Sequence, residues 1–255
     1  MRIATWNCNS LRARLPRLLP WLEADGPEVV MLQETKCMDD QFPREELEAA
    51  GYSAAIFGQK TYNGVAILAK GTIEDVRIGL GDPAFDEEAR VIGAQVGDTL
   101  LLNVYVINGR EVGHPRYDDK LRWYGLLRDR IADTYDLSEK FVLGGDFNVT
   151  VDDRDVYDPD RWHERILCST KERTALGELF DLGLVDSLRR FHEEPGVYTW
   201  WDYRTRGFQR GNGLRIDHLL MSEPAFAACR SVEVDLEMRG GTKPSDHAPV
   251  VATFE

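Results

Sequence analysis

The chain has 255 residues, 43% of them hydrophobic and 29% charged, with a formal net charge of −13. Those proportions suit a large buried core and exclude a disordered or low-complexity chain, while the longest apolar stretch, 100–107, is far too short to span a bilayer. The acidic balance excludes a uniformly basic nucleic-acid-binding surface, and four cysteines with neither metal-ligand spacing nor a disulfide framework read as reduced thiols of a cytoplasmic protein.

Residues 3–6 open the chain as a strand that ends at Asn7, with Asn9 two positions on, and a helix follows over 15–24. Residues 29–33 are apolar enough for a fully buried strand, and Glu34 stands at its end. A helix over 44–50 and strands over 54–57 and 65–69 come next. Thr61-Tyr62-Asn63-Gly64 forms the turn between those strands, because Asn-Gly tolerates positive φ. Strands over 91–96 and 100–107 follow, the second carrying Tyr105 just before Asn108-Gly109. In the helix over 118–134, Leu121, Tyr124, Leu127 and Ile131 recur at spacings of three and four and mark a buried face. A strand over 141–143 runs into Gly144-Gly145-Asp146-Phe147-Asn148. Helices over 171–182 and 186–192 lead to Thr199-Trp200-Trp201 and an arginine-rich run. Strands over 216–221, 232–236 and 250–254 complete the chain, with Asp217 in the first and Ser245-Asp246-His247 before the last.

Five times a carboxylate or carboxamide stands within or at the end of an apolar, strand-like segment. An uncompensated buried carboxylate costs several kcal/mol or more, and a hard divalent cation is the simplest compensator, since it takes oxygen ligands and keeps positions open for phosphate. Each residue also has a plain structural reading. Glu34 alone reads equally well as a solvated strand-end acid, and Asp146 with Asn148 reads as an Asx-type turn after a strand. In an extended segment their spacing of two would instead put both side chains on one side. Tyr105 alone reads as a core tyrosine, and His114, His163, His192 and His218 as surface or structural histidines. Trp200 and Trp201 cannot face the same side of a strand, so one belongs to the core and the other is free to stack on a sugar or base.

Taken together the motifs speak more clearly. Trp6-Asn7-x-Asn9-Ser10-Leu11-Arg12-Ala13, Leu32-Gln33-Glu34-Thr35-Lys36, Tyr62-Asn63-Gly64-Val65-Ala66, Gly144-Gly145-Asp146-Phe147-Asn148, Gly183-Leu184-Val185-Asp186, Thr199-Trp200-Trp201-Asp202-Tyr203-Arg204, Gly213-Leu214-Arg215-Ile216-Asp217 and Ser245-Asp246-His247-Ala248-Pro249 occur in that order. The chain thereby resembles, over its whole length, the exonuclease III family of abasic-site endonucleases, in the endonuclease/exonuclease/phosphatase superfamily. One departure is Ile107, where the pattern leads us to expect proline.

The resemblance implies a four-layer α/β sandwich, two packed, mostly antiparallel sheets flanked by helices, forming a single catalytic domain over residues 1–255. It implies a Mg²⁺-dependent phosphodiesterase (Mn²⁺ able to substitute) that cleaves duplex DNA 5′ to abasic sites, with 3′→5′ exonuclease and 3′-end-cleaning capacity. Glu34 is implied as the principal metal ligand, with Asp246, Asn7, Asn9, Asp146 and Asn148 contributing around it. Asp146 and Asn148 would align the attacking water, and His247, held by Asp217, would stabilise charge on the phosphate beside Tyr105 and Asn7. Trp200, Leu214 and Ile216 would line a small apolar pocket for a base-free deoxyribose. Arg204, Arg215, Lys120 and Arg90 would hold the DNA backbone, against a plain reading as solvated surface charges. The acidic excess sits elsewhere, in runs such as Asp39-Asp40 and Asp86-Glu87-Glu88, so a monomer with a basic rim around an acidic metal pocket is expected.

Overall fold

A computed structural model describes residues 1–255. Its strands are β1 (Arg2–Asn7), β2 (Val29–Gln33), β3 (Ser53–Phe57), β4 (Val65–Ala69), β5 (Glu74–Ile78), β6 (Val91–Val96), β7 (Thr99–Tyr105), β8 (Phe141–Asp146), β9 (Val185–Asp186), β10 (Asp217–Met221), β11 (Cys229–Val234) and β12 (Val250–Phe254). They form two six-stranded sheets, ordered β11-β12-β1-β2-β4-β3 and β5-β6-β7-β8-β10-β9. The β1–β2 and β7–β8 pairs are parallel, and the others are antiparallel. The helices are α1 (Leu11–Glu23), α2 (Arg44–Ala49), α3 (Pro83–Asp86), α4 (Pro115–Thr134), α5 (Pro159–Trp162), α6 (Thr170–Asp181), α7 (Ser187–Phe191), α8 (Gly207–Arg210) and α9 (Glu223–Ala228).

Strand periodicity sorts the core into three layers of contact. Alternate residues of β1, β2 and β4 (Ala4, Trp6, Val30, Leu32, Ala66, Leu68) pack outward against Leu11, Leu18 and Leu22 of α1 and Leu47 of α2. On the other side Leu102, Val104, Phe141, Leu143 and Leu220 pack outward against Trp123, Tyr124, Leu127 and Ile131 of α4 and Leu176 and Leu179 of α6. Between the sheets lie Ile3, Val29, Met31, Ile67, Leu101, Val142, Leu219 and Met221. The result is the four-layer sandwich, helix on sheet on sheet on helix.

The inner rows also place the site. Following period 2, the inward residues of β1 run Ile3, Thr5, Asn7, and those of β2 run Val29, Met31, Gln33. On β7 they run Leu101, Asn103, Tyr105, on β8 Val142, Gly144, Asp146, and on β10 Met221, Leu219, Asp217. Register aligns Asn7 with Gln33, Tyr105 with Asp146 and Asp146 with Asp217. Every row therefore turns from apolar to polar toward the same end of the sandwich. Gly144 and Gly145 permit this crowding: a Cβ on Gly144 would sit 2.2 Å from Met31 Cε, and one on Gly145 2.0 Å from the Val104 carbonyl oxygen.

Three local expectations need correction. Helix α1 begins at Leu11, four residues before the expected start, and keeps Pro16 and Pro20 inside it. Both rings are solvent-exposed, so the carbonyls that lose their partners can bond water. Strand β5 was not anticipated because it is an edge strand whose five residues are all exposed. On α4 the buried stripe runs through Tyr117, Lys120, Tyr124, Leu127 and Ile131, with Trp123 beside it, whereas Leu121 is half-buried.

Candidate active site

At the polar end of the sandwich, Asn7 on β1 is fully buried, and its Nδ2 donates to both Glu34 Oε1 and Asp146 Oδ2 at 2.9 Å. Its Oδ1 accepts from the Asn9 backbone N–H at 3.0 Å. The Tyr105 hydroxyl at the end of β7 donates to Glu34 Oε1 at 2.9 Å. Lys36 Nζ bridges Glu34 Oε2 (2.7 Å) and Asn9 Oδ1 (2.6 Å). Asn9 Nδ2 then donates to Asp246 Oδ1 at 2.9 Å, and the other Asp246 oxygen accepts from Trp200 Nε1 at 3.1 Å. Residues 239 positions apart in the chain thus face one cup, with Glu34 and Asp246 on either side of the Asn9 carboxamide. Asn9, Ser10, Glu34, Lys36 and Asn148 all adopt positive φ, a concentration of sparsely populated backbone that marks functional sites.

The second half of the cup is a carboxylate–imidazole–carboxylate row. His247 Nδ1 lies 2.9 Å from Asp217 Oδ2 and 3.1 Å from Oδ1, and His247 Nε2 lies 3.8 Å from Asp146 Oδ2. Burial alone would depress the imidazole, but Asp217 and Asp146 outweigh it and lift His247 to about 10, so it is an imidazolium at neutral pH. Burial raises Asp146 to about 7, against the opposing pull of His247. Glu34 behaves differently. Burial raises it, but Lys36 and the Asn7 amide more than offset this and hold it below the ordinary carboxylate range. Asp246 is likewise held low, as His247, Asn9 and Trp200 overcome its burial. Burial and the Glu34 charge raise the Tyr105 phenol far above its usual value, so it remains a donor.

Two groupings could hold a cation. Asp146, Asp217 and His247 lie close enough to share one, but His247 Nδ1 faces Asp217 and the ring is charged, which suits proton handling better than ligation. The Glu34, Asn9 and Asp246 side offers ionised carboxylate oxygens and an amide oxygen, already spanned by the Lys36 ammonium. Hard oxygen donors of this kind fit an oxygen-seeking divalent cation.

Asn148 does not follow strand alternation. Strand β8 ends at Asp146, Asn148 adopts φ 52°, and its N–H donates to Asp146 Oδ1 at 2.9 Å, which makes the Asx-type turn. Its carboxamide bonds the Val106 carbonyl and accepts from Asn108 Nδ2, each at 2.9 Å. Asn108, exposed at the lip, was missed in the sequence, as were Lys36, Ser245, whose hydroxyl donates to the Asn7 carbonyl at 2.7 Å, and Thr199, whose hydroxyl accepts from the N–H groups of Ile216 and Asp217 at 3.1 Å. The Asn108-Gly109 pair after Tyr105 was the available signal for the first.

Several of the expected DNA contacts are turned elsewhere. Arg215 has no exposed surface and is locked between Asp155 (2.7 and 2.9 Å) and Asp186 (2.7 and 3.0 Å). Lys120 is equally buried. It pairs with Glu172 and donates to the carbonyls of Asn148 (2.6 Å) and Asn108 (3.3 Å), bracing both loops from beneath. Arg90 is buried against Glu88, the Tyr105 carbonyl and the Tyr105 ring, with its guanidinium carbon 4.7 Å from the ring centroid. Arg204 is exposed, as are Arg206 and Arg210 beside it. Leu214 and Ile216 are almost wholly buried. They pack in a cluster with Val156, Leu167 and Cys168, against which the partly exposed Trp200 packs, while Trp201 is buried. His218 is structural, bonded to Arg215 and to the Val149 carbonyl.

The Endonuclease/Exonuclease/phosphatase family pattern matches residues 4–247. The chain is 34% identical over 267 residues to exodeoxyribonuclease III of Haemophilus influenzae, covering 100% of both. The 3′-5′ exonuclease NExo of Neisseria meningitidis superposes with a TM-score of 0.97 at 46% identity over 100% of both chains. In complex with a product DNA hairpin, where NExo is described as a 3′ phosphatase, the TM-score is 0.95 at 45% identity over 100% of this chain and 99% of that one. An AP endonuclease from Archaeoglobus fulgidus superposes with a TM-score of 0.96 at 36% identity, over 100% and 99% of the two chains.

Proposed function

Because the chain belongs to the endonuclease/exonuclease/phosphatase family, and within it to the exonuclease III branch, we propose that it is a metal-dependent DNA-repair phosphodiesterase acting on duplex DNA at 3′ ends and abasic sites. The observation that carries this reading is the convergence of Asn7, Glu34, Tyr105, Asp146, Asp217, Asp246 and His247 on one cup from both ends of the chain. Asp146, buried and next to the imidazolium, is the group to orient and deprotonate a water. His247, charged and fixed by Asp217, donates to a phosphate oxygen and stabilises the charge that grows there. The Tyr105 hydroxyl and the Asn7 amide are further donors on the same side, and Asn148 with Asn108 forms the lip against which the strand lies. Glu34 and Asp246, with the Asn9 oxygen between them, would hold Mg²⁺ or Mn²⁺ on displacing the Lys36 ammonium. When bound, such an ion supplies charge neutralisation and Lewis acidity at the phosphate. We place this as one catalytic unit, monomeric and cytoplasmic. No helix is long and apolar enough to cross a membrane.

Two observations favour 3′-end processing over abasic cleavage as the leading activity. The relative at 46% identity is described as an exonuclease and, in its DNA complex, as a 3′ phosphatase, and Leu214 and Ile216 are almost wholly buried rather than presented at the surface of the cup. The AP endonuclease at 36% identity supports the abasic reading. The test compares cleavage of duplexes with a 3′-phosphate, a blunt 3′ end and an internal abasic site, in one Mg²⁺ buffer with and without chelator. Removal of the 3′-phosphate at the highest kcat/KM, abolished by chelator, is expected. Activity that survives the chelator, or none on any duplex, would overturn the reading. Glu34→Gln should raise the metal concentration needed for half-maximal rate.

A further inference from the structure

Directly beneath the cup, in the middle of the layer between the sheets, three polar side chains interrupt the apolar core: Thr5 on β1, Gln33 on β2 and Asn103 on β7. All three have 0% exposure. Gln33 Nε2 lies 2.7 Å from Asn103 Oδ1, 2.9 Å from Thr5 Oγ1 and 3.0 Å from the Met31 carbonyl oxygen, so its two N–H bonds are shared among three acceptors. Asn103 Nδ2 reaches from the second sheet into the first and donates to the Leu32 and Ala66 carbonyls, each at 2.9 Å. These two carbonyls belong to residues paired across β2 and β4, so a single carboxamide ties three strands of two sheets. Gln33 Oε1 is buried without a partner. A cluster of this kind is a poor way to gain stability, because each buried amide gives up its bonds to water and one atom here recovers nothing. Apolar side chains would fill the same space at less cost.

What the cluster does provide is register. Thr5, Gln33 and Asn103 stand two, one and two residues before Asn7, Glu34 and Tyr105, and it is from opposite sheets that Asn7 and Tyr105 donate to the same Glu34 oxygen. Apolar packing between sheets is non-directional and tolerates sliding of a fraction of an ångström, whereas an amide bridged to two backbone carbonyls does not. We infer that Gln33 and Asn103 are positioning residues, an inter-sheet clamp that holds the Glu34 side of the cup on the first sheet in line with the Tyr105 and Asp146 side on the second. The inference rests on the functional reading above, since it concerns that reaction's geometry.

The test measures kcat, KM and Tm for wild type, for Gln33→Met/Asn103→Leu and for Thr5→Val, with a 3′-phosphate duplex and an abasic duplex in Mg²⁺. The double variant replaces the clamp with apolar side chains of similar shape. Its kcat should fall about 10- to 100-fold, the range that a displacement of roughly an ångström produces, while KM changes less than about twofold and Tm is unchanged or higher. Thr5→Val, which removes one acceptor, should lower kcat by a smaller factor in the same pattern and serves if the double variant does not fold. A kcat within twofold of wild type in a folded double variant would overturn the inference, and so would a Tm that falls along with kcat, which is the mark of a merely structural role. If wild type cleaves neither duplex, the functional reading itself fails.

Discussion

Replacing Arg215 by methionine separates a structural from a DNA-binding role for the best-placed arginine of the motif region. Arg215 makes four charge-assisted bonds, two to Asp155 and two to Asp186, with no exposed surface. The variant leaves the buried Asp155 carboxylate and the partly buried Asp186 carboxylate without their cation. Asp155 keeps Arg189 and the Val151 N–H, whereas Asp186 keeps only a long 3.4 Å bond from the Arg189 N–H. Breaking a buried pair by removing one partner costs about 3–5 kcal/mol, and because Asp155 remains partly paired we take about 3–4 kcal/mol. For a chain of this size each kcal/mol lowers Tm by about 2–4 °C, so the variant should melt about 6–16 °C below wild type by calorimetry. Its DNA binding, followed by anisotropy across a salt series, should keep the wild-type slope of log K against log salt. A phosphate contact would behave in the opposite way, losing about one unit of slope with Tm unchanged. That outcome would refute the burial argument.

Asp217→Asn keeps the shape beside His247 but removes the largest charge that holds it protonated, so kcat should fall about 10²–10⁴-fold with KM little altered. A loss under tenfold in steady-state cleavage would contradict the pairing. Lys120→Met strands the buried Glu172 carboxylate, so its urea midpoint should drop well below that of Lys120→Met/Glu172→Gln, in which no charge is left unpaired. Equal midpoints would show that the pair is not buried as described. For His218, burial and then Arg215 push the imidazole below its ordinary 6.5, so its contribution to stability is present above pH 6.5 and is lost as pH falls, when the unfolded chain takes up the proton and the folded one does not. The Tm deficit of His218→Gln should therefore be larger at pH 7.5 than at pH 5. A deficit that grows toward acid would reverse the sign.

Strand positions and the chemistry at their ends were readable because both are local. The apolar runs 29–33, 65–69 and 91–96 match β2, β4 and β6, and polar residues closing apolar runs had to meet compensating groups wherever they came to lie. Asn7, Glu34, Tyr105, Asp146, Asp217, Asp246 and His247 could be named together only through the ordered motifs of the family they resemble, since alone Glu34 reads equally well as a solvated acid and Tyr105 as a core residue. Lys36 and Asn108 could not, since their part in the cup depends on contacts across it, whereas the Asx-type turn read at Asp146 and Asn148 is the one observed. The Gln33–Asn103 clamp was equally hidden, because the two residues are 70 positions apart and meet only when the sheets pack.

By itself, then, the order of residues determined the apolar runs that become strands, the helical stripes that pack on them and the kinds of group available at the strand ends, while the two-sheet arrangement was legible only through the family resemblance. Only the tertiary structure decided which cations face solvent. Charge is a property of a residue, but burial is a relation between distant segments: Arg215 meets Asp155 from 60 positions away, Lys120 meets Glu172 from 52, and Arg204 meets water. A cation enclosed by its own carboxylates has no field left to offer a phosphate.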